Sequence, residues 1–420
     1  MLSLSFGFRD TLQARIYMKK DLLFTFIASI TCTSSVHAIE IYKDDQNSVK
    51  IGGYINARVI ATQGETEVVN GVSRINFDFT RKLQNDWDAI TLLEWGINPV
   101  GSNDIVYNNR FETVQDEFLY NRLGYVGIKH DKYGQVTFGK QWSTWYDVVY
   151  NTNYSLVWDG NAAGVYTYNK GDGGVNGTGR SDKTIQYRNS FGNLHFAVQA
   201  QLKTDDFYTC DIVDISRSAC QALWNQGTDN AAQKVEFNST YGAALTYYLT
   251  NNLKFSAGVN RGQFDIIYAT GRDQSVTDLI YGASVTFGEY DNLGWYASAN
   301  INRNENHDTD NLGRLINEAI GSESILSYRF ENDFRTFLAY NVYDAGDDYV
   351  IQPNFNADPS DVFKRQFAVL GFHYFMGDQN LIYIEARKDF SDFSSNDAEQ
   401  EAQMSQTEDD GFAIGFHYSL

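Results

Sequence analysis

Polar and apolar positions alternate along nearly the whole chain. The last nine residues, Phe412-Ala-Ile414-Gly-Phe416-His-Tyr418-Ser-Leu420, carry a large apolar side chain at every second place. Side chains alternate faces in a strand, so one face of this segment is continuously greasy. Ile51, Gly53, Ile55, Ala57 and Val59 repeat the pattern opposite Gly52, Tyr54, Asn56 and Arg58. Ile75, Phe77 and Phe79 do so opposite Arg74, Asn76 and Asp78. Comparable stretches occupy 89–95, 119–128, 135–141, 184–190, 194–203, 235–249, 253–264, 276–287, 293–303, 323–330, 335–343, 364–375 and 381–390, about sixteen strands in all. Short turns alternate with long polar connections at 142–183, 204–234, 344–362 and 391–410. The pattern predicts an all-β transmembrane antiparallel β-barrel, with its apolar row on lipid and its polar row around water. A one-residue slip would carry Arg58 and Arg74 into hydrocarbon, at ~2–4 kcal/mol each near the midplane, so the same pattern fixes register.

Composition supports this reading. The 420 residues include 28 Tyr and 28 Phe but only 3 Pro, and mean hydropathy is −0.40. After the N-terminal region no run reaches the ~18 apolar residues of a spanning helix. A soluble all-β sandwich is the competing class, but no composition shift marks the second domain it would need at this length. At the N-terminus, Met18-Lys19-Lys20, an apolar core from Leu22 to Ile30 and the Val36-His37-Ala38 cleavage signature read as a secretory signal. Residues 1–38 are then the signal peptide and 39–420 the barrel; residues 1–17 are an over-long start with Met18 as the initiator. Without Arg9, Arg15, Lys19, Lys20, Asp10 and Asp21, the chain keeps 29 basic against 51 acidic residues, which argues against nucleic acid as a partner. Cys210 and Cys220 are close in a polar stretch and read as a loop-closing disulfide, with two free thiols the alternative.

Local strings carry a resemblance. Asn121-Arg-Leu-Gly-Tyr-Val-Gly-Ile-Lys-His-Asp-Lys-Tyr-Gly-Gln-Val-Thr-Phe-Gly-Lys-Gln141 resembles the fourth and fifth strands of the Gram-negative general porins. Val72-Ser-Arg-Ile-Asn-Phe77, Gly179-Arg180, Ile185-Gln-Tyr-Arg-Asn189 and Leu194-His-Phe-Ala-Val198 extend the likeness over residues 50 to 200. The resemblance implies an outer-membrane homotrimer of sixteen-stranded barrels in contact with lipid and lipopolysaccharide, each with its third outer loop folded into the lumen. It also implies passive diffusion of small hydrophilic solutes and ions. Arg74, Arg122 and Arg180 match positions of a basic ladder on the wall, and Lys140 matches a position near the subunit interface. The chain departs from the family in ending on Leu420 rather than Phe, and in reading Val157-Trp158-Asp159-Gly160-Asn161 where relatives carry Pro-Glu-Phe-Gly-Gly.

Four groups of residues are candidates for function. Arg58, Arg74, Arg122 and Arg180 are lumen-facing or loop-base positions, and arginine stays charged at any working pH. Glu94 on the third strand, with Asp147 and Asp159 in the third loop, would face them and set a transverse field across a constriction. The alternatives are arginines paired inside a plugged barrel and ordinary solvated loop carboxylates. Trp142, Trp145 and Trp158 crowd the third loop with Tyr146 and Tyr154, either packing it against the wall or forming a stacking track for sugars. Glu112, Asp116 and Glu117 of the second outer loop are candidates for latching a neighbouring subunit, and the acidic stretch 389–410 reads as a solvated outer loop able to bind divalent cations. Catalysis has no support: the histidines are scattered, no G-x-S-x-G elbow occurs, and neither a metal nor a cofactor is implied. Three functions remain on the residues alone: a passive diffusion channel, a saccharide-selective channel, and a surface receptor or adhesin displayed on a closed barrel.

Overall fold

The computed structural model describes residues 38–420 except 103–104, 106–117, 168–171, 204–205, 211–216, 227–231, 270, 272, 312–313, 347–348, 350–360, 378–379 and 406–407. The signal segment and the acids Glu112, Asp116 and Glu117 lie outside the described residues, as do the side chains of Cys210 and Cys220.

Sixteen strands form a closed antiparallel ring. They are β1 (Asn47–Thr62), β2 (Arg74–Lys82), β3 (Asp88–Ile97), β4 (Leu119–His130), β5 (Gly134–Trp142), β6 (Arg180–Phe191), β7 (Leu194–Gln201) and β8 (Ala232–Thr250). The second half comprises β9 (Leu253–Tyr268), β10 (Asp273–Phe287), β11 (Gly294–Glu305), β12 (Glu318–Arg329), β13 (Phe334–Asp344), β14 (Val362–Phe375), β15 (Leu381–Asp389) and β16 (Gly411–Ser419). Four short strands, Ile39–Lys43, Glu65–Asn70, Asp206–Cys210 and Asp392–Ser394, add to these edges. The ring closes where β16 pairs with β1, from Ser419 opposite Tyr54 to Gly411 opposite Thr62. Closure leaves no strand edge facing hydrocarbon, where an unpaired backbone group would cost several kcal/mol.

The expected register holds. Val126, Leu245, Val285, Ile301, Leu338, Leu370 and Ile414 are exposed on the outside. Tyr133, Phe191, Trp295, Phe330 and Phe334 are exposed beside the short turns and form an aromatic girdle. On the inside, Asn56, Arg58, Asn260, Asn300 and Asn302 are buried. Seven long connections and the short 269–272 connection between β9 and β10 lie at one end of the barrel, and the remaining turns lie at the other. Many strands outrun their sequence-based bounds; β12, for example, begins at Glu318 rather than 323. The period-two rule marks only the part in hydrocarbon, whereas hairpins continue into water.

Leu338 sits midway along β13 with 52% of its surface exposed. Replacing it with arginine is expected to destabilise the folded barrel by ~2–4 kcal/mol. Equilibrium folding into lipid vesicles across a urea series measures the loss.

Candidate functional site: a third loop that divides the lumen

The connection from β5 to β6 turns inward. Ser143 caps its first helix, α1 (Thr144–Val149), by accepting the Tyr146 N–H, and a 3-10 turn (Tyr150–Thr152) follows. Trp145, Val148 and Val149 recur at helical spacing, so α1 has one apolar face. That face is buried on the wall. The Thr144 N–H donates to Gln199 Oε1 on β7 at 2.8 Å, and Ser284 Oγ on β10 donates to the Val148 carbonyl at 2.6 Å. Trp145 Nε1 donates to the Ala163 carbonyl at 2.8 Å and ties the outgoing limb to the returning one.

Two glutamates on the far wall clamp the tip. Glu323 on β12 accepts the Ala162 and Ala163 N–H groups at 3.0 and 2.9 Å and Thr152 Oγ1 at 2.6 Å. Gly160 makes room for it, since a Cβ there would lie 2.1 Å from Glu323 Oε1. Glu385 on β15 accepts the Leu156 and Val157 N–H groups at 2.7 and 3.0 Å and Ser155 Oγ at 2.5 Å. Charged acceptors make these the stronger class of hydrogen bond, ~1.5–3 kcal/mol each. Neither glutamate stood out in the sequence. For Glu385 the signal was an acid on the lumen row between apolar neighbours, Ile384-Glu385-Ala386, whereas Glu323 stands between Ser322 and Ser324 and carries no such signal.

Around the clamps the inward row is buried, its apolar side chains set among buried polar ones such as Asn300, Asn341 and His373. Ile60, Ile325, Phe337, Phe367, Val369 and Tyr383 are all within 2% of full burial and pack with Val157 and Trp158 of the loop. Tyr154 stacks on Tyr290 at 3.8 Å and 8°, near the short-turn end. The lumen is therefore solid from β11 to β16. Along β2–β6 it is not, because inward Arg74, Asn76, Asp78, Tyr125 and Arg188 stay half-exposed.

The predicted site residues separate accordingly. Arg58 is buried and donates to the Leu156 carbonyl, so it docks the loop. Arg122 Nε binds Glu94 Oε1 at 2.9 Å, and Arg74 Nη1 lies 4.0 Å from the same oxygen. Arg122 keeps 2% side-chain exposure and Arg74 16%, so of this pair Arg74 is the one that reaches water. Arg180 faces Asp172 at 3.5 Å at the loop base, where Lys140 also binds Asp172 and Asp182 at 2.7 and 2.8 Å. Burial opposes ionisation of Asp172, but Arg180 and Lys140 outweigh it and hold its carboxyl down at about 2. Asp147 pairs with Arg188, a partner the sequence did not suggest. Asp159 is buried within the loop.

The saccharide track loses its surface. Trp145 and Trp158 are 0% and 2% exposed. Trp158 rests on Gly411, where a Cβ would come within 2.3 Å of its ring. Trp142 is covered by Tyr146 on one face (3.9 Å, 16°) and approached by the Arg180 guanidinium at 5.7 Å. Trp145 and Trp158 offer no face to a solute, and Trp142, although partly exposed, has one face taken by Tyr146. In the acidic stretch near the C-terminus, Asp392, Asp397, Glu399, Asp409 and Asp410 are exposed as expected, whereas Met404 and the Glu408 side chain are buried.

A histidine holds the returning limb. His307 Nδ1 lies 2.6 Å from Asp278 Oδ1, and Nε2 lies 2.8 Å from the Gly164 carbonyl. The Gly164 carbonyl can only accept, so Nε2 carries a proton, and an ionised Asp278 favours a second on Nδ1, which would make the ring a cation. Burial works against that charge, but Asp278 outweighs it and raises the pKa of the ring. A raised value stabilises the fold fully below ~6.5, and the contribution is lost as pH climbs through it. Open-channel current noise should therefore grow on the alkaline side, and His307→Gln should remove that dependence. Glu385→Ala, which strips the tip of three donors' acceptor, should raise single-channel conductance at every pH.

Comparisons with known proteins agree with this architecture. A profile of the Gram-negative porin family matches residues 25–394. The outer membrane porin PhoE of Enterobacter cloacae is 23% identical over 417 residues, covering 96% of this chain and 100% of that one. Salmonella typhi OmpF, solved in complex with daunomycin, superposes with a TM-score of 0.63 at 18% identity over 91% of this chain and 100% of that chain. The trimer form of Vibrio cholerae OmpT gives 0.55 at 15% identity over 90% and 100%. A closed sixteen-stranded ring with an inward third loop, matched by that family profile over most of its length, makes this chain a member of the Gram-negative porin family, an outer-membrane channel protein.

Proposed function

We propose that small hydrophilic solutes and ions cross by diffusion along the β2–β6 wall. The observation that carries this is the contrast between that partly exposed charged row and the buried, packed row of β11–β16. Arg74 and Asp78 line the wall of the passage, and the contact between Arg188 and Asp147 of the loop bounds it. Asp78, Leu92 and Tyr125 stand in register across β2, β3 and β4, with Glu94 two residues along β3. Cations and anions alternate here, so a polar solute finds partners along its path while an apolar one crosses without help. Glu94, held by Arg122, anchors the patch and adds little net field.

The formal net charge of −20 enriches cations near the mouths and gives a mild cation preference. Assembly as a homotrimer is the arrangement this reading carries, supported by the trimer form of the Vibrio relative. The barrel exterior contacts outer-membrane lipid and lipopolysaccharide through its apolar band and girdles.

Planar-bilayer recordings in a potassium chloride gradient test the assignment. Wild-type protein should conduct steadily with a modest cation-selective reversal potential. Arg74→Glu should increase the cation-to-anion permeability ratio at least ~2-fold, because Arg74 is the ladder member seen to keep water access. Arg58→Gln should instead change conductance through the loop it docks. Absence of steady conductance in the wild type would overturn the reading.

A further inference from the structure

Three outer loops interlock above the packed wall. They connect β11 to β12 (306–317), β13 to β14 (345–361) and β15 to β16 (390–410). Among their described residues Arg314 is the hub, with 1% of its surface exposed. Its Nε donates to Asp310 Oδ2 at 2.6 Å, within its own loop. Nη1 donates to Asp361 Oδ2 at 3.0 Å in the second loop and to Gln400 Oε1 at 3.3 Å in the third. Nη2 donates to the Tyr349 hydroxyl at 2.5 Å and lies 3.5 Å from Met404 Sδ. One guanidinium thus engages all three loops.

A second knot lies beside it. Glu408 accepts Arg365 Nε from β14 at 2.9 Å and also pairs with Arg387 from β15. Arg365 Nη2 donates to Asn311 Oδ1 at 2.7 Å, and Asn311 Nδ2 donates to the Met404 carbonyl at 2.6 Å. The first and third loops are rooted four strand spacings apart, about 19 Å of rim at ~4.8 Å each. Met404 is fully buried in a cluster with Ile316, Tyr343, Tyr349, Phe363 and Ala162. Ala162 belongs to the third loop and is one of the residues Glu323 clamps. The interlocked loops therefore sit directly on the tip of that loop.

We infer that these loops form a fixed cap that braces the third loop from outside, and that Arg314 is the positioning residue that sets the size limit of the channel. The inference rests on the diffusion reading above. The third loop is fastened to the wall by Glu323 and Glu385, and the cap covers its outer side. A buried arginine with two carboxylates and a phenol is an expensive way to fill space, since apolar residues would pack there at lower desolvation cost. What such a network supplies is one arrangement of three loops, because each partner left alone would be a buried unpaired charge or hydroxyl. Loosening the cap frees the tip to shift toward solvent, which widens the passage along β2–β6.

Swelling of liposomes carrying the purified mature chain, in neutral sugars from mono- to tetrasaccharide, tests the inference. Arg314→Gln removes the hub, and Met404→Asp expels the third cap loop while every strand residue stays in place. Each variant should keep its heat-resistant barrel and a monosaccharide rate within ~2-fold of the wild type. Each should raise the ratio of trisaccharide to monosaccharide rate at least ~3-fold. Arg314→Lys, which keeps the charge but loses the fork, should fall between. If Arg314→Gln does not fold, Met404→Asp decides alone. Folded variants with the wild-type ratio would overturn the cap while leaving the channel intact. Wild-type liposomes that exclude even monosaccharides would overturn both.

Discussion

Hydrocarbon offers backbone groups no hydrogen-bond partner, and every other feature of this protein follows from meeting that constraint. The pairing of β16 with β1 meets it, turning an open sheet into a ring. The Leu420 N–H donating to the Gly53 carbonyl at 3.0 Å carries the ladder to the last residue of the chain. Once the ring is closed, side-chain direction is set, with one row on lipid and the other confined with whatever the lumen holds. The interior of a sixteen-stranded ring is too wide for its own side chains to fill. The third loop, entering between β5 and β6, decides how much of it is water.

The loop uses two kinds of physics on two walls. Over β7–β10, a helix lays an apolar face on small and polar residues such as Ser284 and Gly258, where a Cβ would lie 2.7 Å from Val148. Over β12–β16, an apolar cluster of the wall meets the loop tip and forms a core there, with buried polar groups such as Asn341 and Arg335 around it. The buried carboxylates of Glu323 and Glu385 are tolerable in that core because backbone N–H groups of the loop saturate them. They make the docking specific as well as tight: an apolar patch alone would accept the tip in several registers, whereas paired N–H donors at 162–163 and 156–157 accept one.

Strands, register and turn polarity were legible because each depends on sequence neighbours two residues apart. The family was legible in the strings between 72 and 198. The fate of the arginines was not. Arg58, Arg74 and Arg122 share a lumen row, but docking Arg58 takes the Leu156 carbonyl, 98 residues away. The packed wall had a signal that went unread: Phe367-Ala-Val-Leu-Gly-Phe-His-Tyr-Phe375 is apolar on both rows, which in a barrel means lipid on one side and a filled lumen on the other. Trp145, Val148 and Val149 likewise announced a helix face, so the burial of Trp145 was readable from spacing, whereas that of Trp158 depends on the bare backbone of Gly411.

The division of the lumen into a wet half and a dry half is the central claim, and cysteine accessibility tests it most directly. Single cysteines at Asn76, Asp78 and Arg188, and at Phe337, Phe367 and Val369, would be introduced into a Cys210→Ser/Cys220→Ser background and exposed in liposomes to a charged, membrane-impermeant thiol reagent. The account predicts rapid modification of the first three and protection of the second three. Equal modification of both sets would contradict it.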